Sequence, residues 1–119
     1  MEEKLFERAK RFLIDAEDDI KKGFFDLAAF HLEQSLQLLI KFLLARKVGY
    51  FSKTHSLEAL KEEVKKVEPK IFELLENNKD VVINMERAYI GARYLSFEYS
   101  KEEIKKMLKL VKKAFKLIK

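Results

Sequence analysis

In the stretch "HLEQSLQLLIK", His31, Gln34, Gln37 and Lys41 recur at steps of three, three and four. That spacing puts an imidazole, two amides and an ammonium in one stripe of a helix otherwise built from Leu and Phe. Such groups donate hydrogen bonds to a phosphate or to the edge of a base. The stripe is therefore either a solvated face or the border of a cleft or interface. Arg93 raises the same choice from the segment "AYIGARYLSFEYS", where it stands among Ile, Leu, Phe and three tyrosines. A guanidinium keeps its charge in a protein, so it needs an anionic or hydrogen-bonding partner. Inside the chain, Tyr89 one turn earlier offers a ring and Glu86 two turns earlier a carboxylate. Outside it, the partner is a ligand phosphate.

Conventional catalytic signals are missing. The chain has no glycine-rich phosphate loop, no HExxH and no cysteine, and its two histidines, His31 and His55, fall on different elements. Nothing has metal-ligand spacing, so neither a metal nor a cofactor is expected.

The elements that must position these residues are helical. From Glu2 to Lys22 the set Leu5, Phe6, Ala9, Phe12, Leu13, Ala16 and Ile20 follows one helix face, and Gly23 offers a stop. The segment Phe24 to Lys47 is apolar around most of its circumference, which marks a helix surrounded by others or lying in a subunit interface. A polar loop then leads to a short helix from about Ser56, with Leu57, Leu60, Val64 and Val67 inward, and Pro69 suits the first residue of the next helical turn. "ENNKD" predicts a break near Asn77 to Asp80, followed by a helix to about Leu95. Ser100 and Glu103 form a capping box for the last helix, whose buried stripe is Ile104, Met107, Leu108, Val111, Phe115 and Ile118. Four main helices with one or two short ones predict an all-α, antiparallel up-and-down four-helix bundle, one domain over residues 1–119.

Composition narrows the class. The 119 residues carry 38% charged side chains, 3 glycines and 1 proline, and the Lys/Glu bias with two Gln and three Asn is the pattern of thermophile proteomes. The formal charge of +5 favours an anionic partner. The last helix carries eight lysines from Lys101 to Lys119 and reads as a solvated face, since no aromatic platform accompanies them. The N-terminus has charges where a signal peptide needs apolar residues, and the absence of cysteine fits a reducing cytoplasm, so a soluble cytoplasmic protein is expected.

"GFFDLAAFHLEQSLQLLIKFLLARKVG", "KTHSLEAL" and "YIGARY", in that order and before a last amphipathic helix, resemble the HEPN domain (higher eukaryotes and prokaryotes nucleotide-binding domain) over nearly the whole chain. Within that family the chain resembles the prokaryotic stand-alone type associated with minimal nucleotidyltransferases; the family also includes RNase toxins. The resemblance implies an up-and-down bundle that commonly forms a homodimer. Gln34 and Lys41 occupy places where the family has Gln and Lys, whereas Gln37 stands where glutamate is common. His55 matches the histidine of a "tHdL" turn, and Arg93 and Tyr94 match an "RY" pair. HEPN ribonucleases resemble one another in an arginine, four to six intervening residues and then a histidine; here Glu98, Tyr99 and Ser100 fill the histidine places.

Without that imidazole the general acid/base near neutral pH is gone, so no catalytic residue is assigned. The resemblance implies a non-catalytic module that binds a nucleotide or other phosphate-bearing ligand through Arg93, Tyr94, Lys41, Gln34, Gln37 and His55. It would act as a homodimer with a separate minimal nucleotidyltransferase, in a two-component or toxin–antitoxin-like arrangement, and not at a membrane. The rival readings are a ribonuclease toxin with a divergent site, using His55, and a purely structural dimeric interaction protein.

Overall fold

The structure is a computed structural model that describes the backbone of residues 2–94 and 98–118 and the side chains of residues 2–90 and 98–118. Six helices follow one another: α1 Glu3–Lys22, α2 Phe25–Val48, α3 Leu57–Val64, α4 Pro69–Asn77, α5 Lys79–Tyr94 and α6 Lys101–Ile118. The four long ones form the expected bundle, and α3 and α4 are the two short additions.

Each boundary has a local cause. Gly23 adopts φ +77°, which lets its N–H reach Ile20 O at 3.1 Å and that of Phe24 reach Asp19 O at 2.8 Å, closing α1 in a left-handed cap. Only the pair Gly23–Phe24 separates α1 from α2, so the two must run antiparallel. Contacts of Ala9 with Ser35 and of Asp19 with His31 confirm that direction. Ser56 caps α3 by accepting the N–H of Ala59 at 3.1 Å, and Pro69 is the first residue of α4. The "ENNKD" break is a single residue, Asn78, between α4 and α5. Its amide side chain donates to Leu74 O at 2.9 Å, which satisfies a carbonyl that the ending helix leaves open. At the start of α6, Ser100 N–H donates to Glu103 Oε1 at 2.8 Å and Glu103 N–H to Ser100 Oγ at 3.1 Å, the reciprocal capping box.

The apolar circumference of α2 is explained within the chain. It packs against α1, α3, α5 and α6, so Leu32, Phe42 and Leu44, which point about 80° to 160° apart around the helix, are all enclosed. By length and composition α2 is also apolar enough to cross a membrane, but 72% of that stretch is buried inside the bundle. An interface between subunits is not needed to account for it. α1 approaches α2 closely where side chains are small: Ala9, Ala16 and Ser35 are fully buried, and Ser35 Oγ donates to Ala9 O at 2.7 Å.

Candidate functional site

The loop between α2 and α3 is built on short polar links. Ser52 Oγ accepts the N–H of Thr54, and Thr54 Oγ1 that of Ser56, each at 3.1 Å. These fix His55, exposed to solvent, against α2 and α5. Its Nδ1 meets Gln37 Oε1 at 3.0 Å, while Gln37 Nε2 donates to Glu33 Oε2 at 2.9 Å and to His55 O at 3.3 Å. An amide oxygen can only accept, so Nδ1 carries the proton and Nε2 holds the lone pair of the neutral ring. Nε2 has no partner among the described residues. The ring also lies over Tyr89, with centroids 5.2 Å apart and planes 17° from parallel.

Beneath this pair sits a carboxylate that the spacing argument missed. Glu33 is completely buried, and Gln34 Nε2 donates to its Oε1 at 2.8 Å. Burial pushes its pKa from 4.5 up to about 7, with Glu86 adding to the rise and the amides of Gln34 and Gln37 and the charge of Lys41 opposing it. The sequence carried only part of the signal: Glu33, Gln37 and Lys41 fall at successive steps of four on a helix that is apolar around most of its circumference, and spacing alone leaves them either enclosed or exposed. Once enclosed, a charged residue must either be paired or lose its charge.

The Glu86–Arg93 pairing that spacing offers lies outside the described residues, and within them Glu86 supports α3. Its Oε1 accepts the N–H of Glu58 at 2.6 Å and faces Ser56 Oγ at 3.5 Å, so it serves the α3 N-terminus, where a negative charge is favoured. Tyr89 stacks on the His55 ring, and the Arg93 stacking that spacing offers lies outside the described residues.

The stripe of His31, Gln34, Gln37 and Lys41 is accordingly split. His31 bonds Asp19 of α1 at 2.5 Å and lies beside Phe12 and Phe30, a contact between helices at the other end of the stripe. Gln34 and Gln37 converge on Glu33. Lys41 is 6% exposed with its ammonium 5.8 Å from the Phe51 ring, and burial holds its pKa below the usual lysine value against the pull of Glu33 and Glu63. It is thus a buried counter-charge to Glu33 more than a solvent-facing cation. Arg93 and Tyr94 have their backbone in α5, and their side chains lie outside the described residues. Arg93 follows Tyr89 by four residues, one turn along the same helix face.

The three places after Arg93 have structural surroundings of their own. Ser100 caps α6 and Glu98 is exposed. Tyr99 packs against the core with its hydroxyl enclosed and without a hydrogen-bond partner among the described residues, and that burial raises its pKa.

A protein-family model for the HEPN domain matches residues 2–119. The chain belongs to the HEPN domain family. That membership places it among nucleotide-binding and RNase-like modules and agrees with the all-helical architecture. No curated protein matches the sequence. Within this HEPN fold, the arrangement offers an exposed imidazole in one fixed tautomer, backed by an amide and a buried carboxyl group. It stands beside the α5 face that continues to Arg93.

Proposed function

We propose that this HEPN domain is a non-catalytic binding module for a nucleotide or other phosphate-bearing ligand. The observation that carries the reading is the Glu33–Gln37–His55 chain set against Tyr89, one turn before Arg93. It presents Nε2 of His55 as a hydrogen-bond acceptor for a base or sugar, and as a donor to phosphate when the ring is protonated. Arg93 supplies the phosphate contact and Tyr94 a ring or hydroxyl; Gln34 lies at the rim, and Lys41 balances Glu33 from below. With Glu98, Tyr99 and Ser100 where a HEPN nuclease has histidine, the site holds its ligand without cutting it. Isothermal titration with a nucleotide panel tests this: Arg93→Ala and His55→Ala should each weaken binding about tenfold or more, the loss of one charge-assisted hydrogen bond. Equal binding by Arg93→Ala and the parent would remove Arg93 from the site.

The module acts as a homodimer together with a minimal nucleotidyltransferase chain. Support for self-association comes from exposed apolar side chains, Phe24 at 47%, Leu27 at 41%, Ile83 at 50% and Ile90 at 55%. Sedimentation should give twice the chain mass, and Ile83→Lys with Ile90→Lys should give the monomer. Co-purification with a nucleotidyltransferase encoded beside it tests the partner.

One observation favours a second reading, a ribonuclease with a divergent site. A neutral imidazole with Nδ1 held and Nε2 open is the form a general base needs. Cleavage of single-stranded RNA by the purified protein, abolished in His55→Ala, would replace the binding reading with this one.

A further inference from the structure

Away from His55, a cavity of about 460 Å³ opens between α6 and the α4–α5 turn. Lys106, Lys109 and Lys113 line one wall, and Asn77, Lys79 and Asp80 the other. The three lysines sit at steps of three and four on one face of α6, with rises of about 4.5 and 6 Å along the axis. None has an ion-pair partner among the described residues, whereas Lys112 on the neighbouring face is held by Glu17 at 3.0 Å. Glu76, an acid of the same cavity, is already bound by Lys61 at 2.7 Å and Lys79 at 3.7 Å, which leaves Asp80 as the only acid in the lining without a cation.

We propose that this groove holds the phosphate backbone of a single-stranded nucleic acid. Three uncompensated cations in a row along a concave wall suit an anion that repeats along a chain. The other residues of the lining are Asn78, Val81 and Leu110, of which Leu110 is buried, so neither a base nor the apolar anchor of a docked peptide has a surface to pack on. What the groove supplies is charge and amide hydrogen bonds, so contact is with the backbone and independent of sequence. The lack of an aromatic platform argues against base stacking; it does not bear on phosphate. The groove shares no residue with the His55 cluster and stands or falls separately from it.

Fluorescence anisotropy with a labelled single-stranded RNA of about 20 nucleotides, followed over about 50–200 mM salt, tests the inference. Lys106→Gln, Lys109→Gln and Lys113→Gln combined should weaken binding at least tenfold. Losing three phosphate contacts should also flatten the log–log salt slope by about 2, at about 0.7 per contact. Lys101→Gln, Lys105→Gln and Lys116→Gln combined remove the same charge from α6 outside the groove and should change both far less. All six lysines are exposed, and circular dichroism would show both variants folded. Equal losses in the two variants would mean that net charge alone attracts RNA and would overturn the groove. So would a parent that does not bind RNA, or one that prefers polyglutamate to RNA. Mononucleotide titration of the groove variant separates this result from the ligand reading of the His55 site.

Discussion

Replacing Glu33 by glutamine isolates the titration of one buried carboxyl group. In the folded chain its pKa is about 7, and in the unfolded chain it returns to 4.5. Between those values the folded state holds a proton that the unfolded state has released. Stability from this group is therefore complete below about pH 4.5 and falls as pH rises through 7. At about 1.4 kcal/mol per pH unit, the loss across that window amounts to about 3 kcal/mol at most. A glutamine side chain has nearly the shape of the protonated acid. One amide oxygen can accept from Gln37, and Gln34, which is only partly buried, can rotate its own amide to present oxygen to the new donor. Urea unfolding of the parent and Glu33→Gln at intervals from about pH 4.5 to 8 reads the difference directly. Groups common to both proteins cancel, and the variant should gain on the parent by about 2–3 kcal/mol between the ends of that range. Parallel stability curves would refute the reasoning, because they would mean that Glu33 is ionised in the fold or reaches water there.

Gln37→Leu should raise the Glu33 pKa further, since it removes a donor that stabilises the carboxylate, and should release the His55 ring; NMR titration of the side-chain carboxyl and imidazole signals checks both. Ser35→Ala should cost about 1 kcal/mol through loss of the bond to Ala9 O. Ser35→Leu should cost more, about 1–3 kcal/mol or above, because α1 and α2 have no room for it; urea unfolding compares the two. Ser100→Ala breaks the capping box and should lower stability by about 1 kcal/mol, with the loss reported by thermal unfolding.

By itself the sequence determined what depends on neighbours along the chain. Helical periodicity, the stop at Gly23, the helix start near Ser56, the place of Pro69 and the Ser100–Glu103 box are all local, and the helices begin and end within a residue or two of the expected positions. The sequence also carried the family, through three motifs in a fixed order, and it carried the missing histidine after Arg93. Tertiary structure decided which side chains share a site. Spacing put His31 in line with Gln34 and Gln37, but α1 covers that end of the stripe and Asp19 holds the ring. His55 and Gln37, 18 residues apart, meet because the loop after α2 folds back along it. Glu33 could not be assigned from its identity, since a carboxylate next to one amide and one turn from another is equally consistent with an exposed face. Only the enclosure of α2 on several sides makes it a buried acid, because desolvation depends on what the rest of the chain places around a residue and not on the residue's own helix.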